Sequence, residues 1–170
     1  MRKRFLSKYD GKKQEWLHLA VLLVLMLIAA LLVLAFVFGI SGVSGDSMEP
    51  TLSDGDVVLY LRLGRDWKYG DMVAVGMPSG ESYVKRIVGL PGDTIDLQDG
   101  KLYRNGVEEA GEYPFGFTGQ QSNAISYPWT VEPERYFVLG DHREVSVDSR
   151  TFGTVSAQQI KGKVIFVFHK

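Results

Sequence analysis

Three short clusters hold the residue types that could do chemistry. The first is Ser44-Gly45-Asp46-Ser47-Met48-Glu49-Pro50-Thr51-Leu52. Small turn-forming residues before Ser47 and a proline after it hold this serine on a rigid segment. Its main-chain N–H then has a fixed direction in which to meet a developing oxyanion. A surface turn rich in small polar residues has the same composition. A nucleophilic serine also needs a base. His142, in Leu139-Gly140-Asp141-His142-Arg143, is one candidate, whereas His18 and His169 lie near the two ends of the chain. Lysine is the other, provided burial in apolar surroundings brings its pKa toward neutrality with no carboxylate beside it. Lys85 lies in Ser82-Tyr83-Val84-Lys85-Arg86-Ile87-Val88-Gly89. Two-residue alternation puts it on one face with Tyr83 and Ile87 and turns Arg86 the other way. An edge-strand lysine that blocks aggregation is an equally simple reading. The third cluster runs from Gly140 to Gly153 and packs two arginines, three acids and two serines into a short stretch. Asp–Arg pairs with serines between them suit a hydrogen-bonded support that fixes a catalytic group; a solvated loop would look similar.

The elements that must position these clusters are of two kinds. Leu19 to Phe38 is a run of 20 residues without a polar side chain. As a helix it spans roughly 30 Å, the thickness of a bilayer core. Before it stand Arg2, Lys3, Arg4, Lys8, Lys12 and Lys13 against Asp10 and Glu15. The positive-inside rule then predicts a cytoplasmic N-terminus and an outer location for the chain beyond Ile40. A cleavable signal peptide is the competing reading. Gly39-Ile40-Ser41 offers a small-x-small triplet, but such peptides have apolar regions of only about 7–15 residues. The expected division is a cytoplasmic basic tail (1–18), a transmembrane anchor (19–40) and one extracytoplasmic domain (41–170).

That domain reads as mainly β. Asp56–Leu61, Met72–Val75, Tyr83–Val88, Arg135–Leu139 and Val164–Phe168 are short β-branched or aromatic runs bounded by Gly, Pro or Asp. Thr94–Gln98 and Lys101–Arg104 flank Asp99-Gly100, a strong hairpin signal, and Asn105-Gly106 marks a further turn. Val155–Ile160 hints at a short helix. Gly111–Pro133 reads as a long loop carrying Tyr113, Phe115, Phe117, Tyr127 and Trp129. Core packing, substrate contact and membrane contact are all open to these aromatics. Met48, Trp67 and Trp129 are candidates for bilayer contact.

Composition narrows the chemistry. The chain has 170 residues, a net charge of −1, no cysteine and three histidines. Disulfides, thiolate catalysis and cysteine-ligated zinc are excluded, and a strongly basic nucleic-acid binder is disfavoured. The net charge is itself a cancellation of +4 over the first 15 residues against −5 over the rest.

Taken together and in this order, the clusters resemble bacterial signal peptidase I in its short, single-anchor form. Ser47-Met48-Glu49-Pro50-Thr51-Leu52 resembles the nucleophile box, and Gly55-Asp56-Val57-Val58-Leu59 the next. Lys85 to Asp93 resembles the lysine box, and Gly140 to Arg150 the last. The resemblance implies two antiparallel β-sheets behind a single transmembrane helix. It makes Ser47 the acylating nucleophile and Lys85 the general base. Ser146 would hydrogen-bond the Lys85 amine, and Asp148 and Arg150, with Asp141 and Arg143, would brace the loop through salt bridges. Signal-peptide-bearing precursors would bind as an added strand along Gly45, Asp46, Ser82, Tyr83 and Val84, with small residues at −3 and −1. The bilayer is the other partner implied. No nucleic acid, metal or cofactor enters this chemistry. Two positions depart from the family pattern. His142 stands where asparagine is usual, and Gly45 stands where some members carry a serine that helps line the oxyanion hole. The hole is therefore expected to consist mainly of main-chain N–H groups, including that of Ser47. A non-catalytic, membrane-tethered homologue that binds exported chains for assembly or chaperoning is the alternative.

Overall fold

The computed structural model describes residues 2–110, 114–122 and 125–170, with side chains from Gln14 onward. Tyr113 lies outside the described residues. Helix α1 covers Arg2–Val37. Its Gln14–Val37 stretch is 24 residues long, apolar enough to cross a membrane, and has none of its length buried in protein. A stretch of this length and composition fits a membrane-spanning helix. The helix ends at Val37, so residues 38–40 of the expected anchor belong instead to strand β1 (Phe38–Gly42). Gly39 of β1 lies flat on the Tyr60 ring, where a Cβ would come within 2.2 Å of Cζ.

Residues Phe38–Lys170 form a second compact unit. Its strands are β2 (Val57–Leu61), β3 (Met72–Gly76), β4 (Ser82–Gly89), β5 (Thr94–Gln98), β6 (Lys101–Arg104), β7 (Val107–Glu108), β8 (Trp129–Thr130), β9 (Arg135–Leu139), β10 (Val155–Ser156) and β11 (Ile160–Phe168). They make a seven-stranded sheet in the order β1-β2-β11-β3-β4-β9-β10 and a four-stranded sheet in the order β7-β6-β5-β8. All the ladder pairings are antiparallel, so the fold is mainly β with two antiparallel sheets. The β5–β6 hairpin turns at Asp99 (φ 49°) and Gly100 (φ 79°). Two consecutive positive φ angles match the right-handed twist of the strands, which is why Asp-Gly serves there.

The core alternates with the pleat. Val73 and Val75 enter one cluster with Trp67, Ile87 and Val138, while Ala74 enters another with Met48, Leu52, Val58 and Val84. A third cluster (Val88, Ile95, Leu102, Phe137 and Leu139) ties β5 and β6 to β4 and β9. Met48 and Trp67 are thus core residues rather than candidates for bilayer contact, and Trp129 is half-buried against the third cluster. Ile40 of β1 and Phe166 of β11 are exposed and flank the half-buried Leu59 of β2 in one row, with Ile165 and Phe168 of β11 also exposed. In the long loop, Phe115 and Phe117 are exposed and Tyr127 packs against the third cluster.

The Val155–Ile160 segment is not helical. Val155 pairs with Tyr136 and Ile160 with Val75, so the two apolar residues are strand ends joined by a turn. The short helix lies upstream as α2 (Ser149–Phe152). Asp148 caps it, accepting a hydrogen bond from the Arg150 N–H.

Candidate active site

Ser47 lies in the connection from β1 to β2. Val43 N donates to Asp56 O at 2.8 Å and Gly55 N to Val43 O at 3.0 Å, which closes the neck of this loop. Gly45 turns the chain with φ 80°, and its N–H donates to Asp54 Oδ1 at 2.8 Å. A helical turn comes next, with Leu52 N donating to Met48 O at 2.9 Å. Met48 and Leu52 are buried as anchors. Burying each is worth about 2 kcal/mol, which fixes the serine between them and the turn.

Lys85 comes from β4, opposite Val73 on β3. Its Nζ donates to Ser47 Oγ at 2.6 Å, and the side chain is 3% exposed. The Tyr83 ring centre is 5.7 Å from Nζ, on the shared face that alternation predicts. Burial pushes the Lys85 pKa down to about 8; Asp148 and Asp141 pull upward and Arg150 adds a smaller downward push. Of the two conditions set for a low lysine pKa, the apolar surroundings are met and the absence of nearby carboxylates is not. Two carboxylates act on Lys85, and desolvation outweighs them.

Those carboxylates are engaged elsewhere. Arg86, the residue after Lys85, makes a two-pronged pair with Asp141, Nε to Oδ1 at 2.8 Å and Nη2 to Oδ2 at 2.6 Å. Thr51 Oγ1 donates to the same Oδ2 at 2.6 Å. Asp141 thus joins the flank of Lys85 to the flank of Ser47. Asp148 holds Arg150 through Nε at 2.9 Å and Nη2 at 2.8 Å, and accepts from Gly140 N at 3.1 Å. Arg143 does not pair with Asp141. It pairs with Glu109 (Nη1 to Oε2, 2.6 Å) and donates from Nε to Gly140 O at 3.0 Å. Both partners of that pair are buried. Charges this deeply buried are retained only when each is paired and hydrogen-bonded, and here each is.

Ser146 departs from expectation. Its Oγ is buried and has no hydrogen-bond partner among the described residues, so the expected bond to the Lys85 amine is not formed. Lys85 Nζ donates to Ser47 Oγ, and the Ser146 hydroxyl lies against Gly140. A Cβ at Gly140 would stand 2.2 Å from Ser146 Oγ and 2.3 Å from the Ser47 carbonyl oxygen. His142 meets Ser47 through the main chain, its N–H donating to Ser47 O at 3.1 Å. Its ring packs edge-on against Phe115 at 5.0 Å between centroids.

Two clefts meet at Ser47 and Lys85. The first, about 370 Å³, runs between Gly42–Ser44 and Ser82–Val84, with Met48 at its base. The second, about 290 Å³, is bordered by Gly45, Asp46, Val145 and Val147. Of the five expected substrate-contacting residues, Ser82 and Val84 line the first, Gly45 and Asp46 the second, and Tyr83 both. Residues 82–85 pair with β3 on one side, and β9 joins β4 only from Arg86 onward, so the other edge has no strand partner among the described residues. That edge can accept an extended peptide. No group of three His, Asp or Glu side chains among the described residues could hold a metal ion. Sequence reading missed Glu109, Thr51, the pairing of Arg86, and the two valines. Glu109 is 34 residues from Arg143, and nothing local signals the contact.

A family model described as signal peptidase, peptidase S26, matches residues 14–169. Signal peptidase I of Bacillus licheniformis is 34% identical over 174 residues, covering 95% of this chain and 93% of that protein. This chain belongs to the peptidase S26 family. Signal peptidase IB of Staphylococcus aureus is 32% identical over 173 residues, covering 92% of this chain and 91% of that protein. A crystal structure of a signal peptidase I from Enterococcus faecalis V583 aligns at 34% identity with a TM-score of 0.49, over 59% of this chain and 97% of that one. Membership makes the chain a peptidase, and four of its residues, Ser47, Lys85, Asp141 and Asp148, lie in one connected site.

Proposed function

We propose that this peptidase is a membrane-anchored serine endopeptidase that removes N-terminal signal peptides from exported precursors, with Ser47 as nucleophile and Lys85 as general base. The observation that carries the reading is the 2.6 Å hydrogen bond from a buried lysine to the serine hydroxyl, with the lysine pKa near 8. Neutral Lys85 takes the Ser47 proton as Oγ attacks the scissile carbonyl. Main-chain N–H groups, that of Ser47 among them, stabilise the oxyanion. The Lys85 ammonium then protonates the departing amine, which leaves an ester on Ser47. Neutral again, Lys85 deprotonates the water that hydrolyses this ester. Asp141, Asp148, Arg143 and Arg150 hold the supporting loop in register, and no metal or cofactor takes part.

The signal peptide binds as an added strand in the first cleft, with small residues at −3 and −1. The unpaired edge of residues 82–85 and the Gly42–Ser44 segment lining the same cleft support this. The apolar run that starts at Leu19 spans the cell membrane, the basic tail of residues 1–18 stays in the cytoplasm, and the domain after the helix works on the outer face. The six basic residues that precede the span support that orientation. The test is cleavage of a precursor with Ala at −3 and −1 by the purified full chain, with N-terminal sequencing of the product. The expected product starts immediately after the −1 residue, and Phe at −1 abolishes it. A cut elsewhere, or indifference to Phe at −1, contradicts the reading.

A further inference from the structure

The second cleft contains two residues with no role so far. Val145 and Val147 are each 54% exposed, while Ser146 between them is buried. The loop that carries them thus leaves both valines facing outward and tucks Ser146 inward. They are β-branched apolar side chains at the wall of a cleft that also includes Ser47 and Lys85. Their loop is not slack. It is held by the buried Arg150–Asp148 and Arg143–Glu109 pairs, so the valines are presented on a fixed support.

The course of a substrate is set by the two clefts. With Ser47 as nucleophile, the acyl side of the scissile bond lies in the first cleft, along the unpaired edge of β4. Both clefts contain Ser44, Ser47, Tyr83 and Lys85, so they meet at the reacting atoms. A chain that enters along the first and passes Ser47 must leave through the second. The residues leaving through it are the first ones of the mature protein.

We propose that Val145 and Val147 form the leaving-side subsite, which selects apolar side chains at the first two residues after the cut. This rests on the Ser47–Lys85 reading and extends it to the other half of the substrate. The Asp46 carboxylate borders the same cleft and reinforces the selection by repelling acidic side chains. The contacts are exposed and small, so the expected discrimination is on the order of tenfold, the scale set by one or two methylene contacts in an apolar pocket.

The test uses the full chain in detergent and one precursor with constant residues from −5 to −1. Positions +1 and +2 are varied among Val, Leu, Asp and Lys, and kcat/KM is measured for each. The parent is expected to prefer Val and Leu over Asp by roughly tenfold. In V145K and, independently, V147K, that ratio is expected to fall toward one or invert in favour of Asp. A parent indifferent to +1 and +2, or variants that keep the parental ratio, would overturn the subsite. If S47A cleaves the Val precursor at the parental rate, the serine mechanism itself fails, and the subsite fails with it. Using a ratio within each variant separates altered specificity from a general loss of folded enzyme.

Discussion

Lys85 sits at about 8 because folding strips it of water, and that has two measurable sides. On the catalytic side, only the neutral amine can take the Ser47 proton. The neutral fraction is about 1% at pH 6, about 10% at pH 7 and about half at pH 8. kcat/KM should therefore rise about tenfold per pH unit up to pH 7 and level off above about 9. On the stability side, lowering the pKa from 10.5 to about 8 corresponds to roughly 3 kcal/mol of destabilisation when the amine is charged. The folded state holds its proton less tightly than the unfolded state. The cost is complete below pH 8, shrinks as pH rises from 8 to 10.5, and is nearly gone above that. Lys85→Met, close in length and apolar, should thus be inactive and yet more stable than the parent by about 3 kcal/mol at pH 7. Urea unfolding of the full chain in detergent at about pH 7 and about pH 10.5 measures this directly. The gap between variant and parent should narrow to a few tenths of a kcal/mol at the higher pH. A flat pH–rate profile from about 6 to about 9, or a gap that does not depend on pH, would mean that Lys85 is not the ionising base.

Other residues give sharper structural outcomes. Arg86→Ala leaves Asp141 buried without its counter-charge, and should lower stability by about 3–5 kcal/mol in the same unfolding assay. Gly140→Ala places a methyl group 2.3 Å from the Ser47 carbonyl oxygen, a main-chain atom that cannot turn aside. Precursor cleavage should fall by about a hundredfold or more, and stability by about 1–3 kcal/mol. Ser146→Ala removes a buried hydroxyl that makes no hydrogen bond among the described residues, so thermal unfolding should show a change of less than about 1 kcal/mol. A loss above about 2 kcal/mol would mean that the hydroxyl has a partner in solution.

Much of the fold is legible from local pattern. The hairpin around Asp99-Gly100 is readable because a primed turn demands positive φ at two positions, and few dipeptides supply it. Tyr83 and Lys85 share a face because strand alternation leaves no choice. The features that escape a sequence reading depend on distant partners. Val155 and Ile160 resemble one face of a short helix, but the strands that pair with them, β9 and β3, decide otherwise. Asp148 as the cap of α2 is a local signal hidden behind its charge. Arg143 looks like the partner of Asp141 because they are neighbours in sequence. In the fold Asp141 turns to Arg86 and Arg143 to Glu109, across 55 and 34 residues. Met48 resembles a bilayer contact because of its type and its place after the helix, and only the packing of Leu52, Val58 and Val84 around it shows a core anchor.

The proposed chemistry rests on one serine, Ser47, and one lysine, Lys85. The most direct measurement is cleavage of a single precursor by the full chain, by S47A and by K85A, each first confirmed folded by its unfolding curve. The expected product of the parent begins after the −1 residue, and each variant is expected to be slower by about 10³-fold or more, the scale set by losing a nucleophile or its base. Parental rates in either variant, or precursor that binds the parent without being cut, would contradict that chemistry.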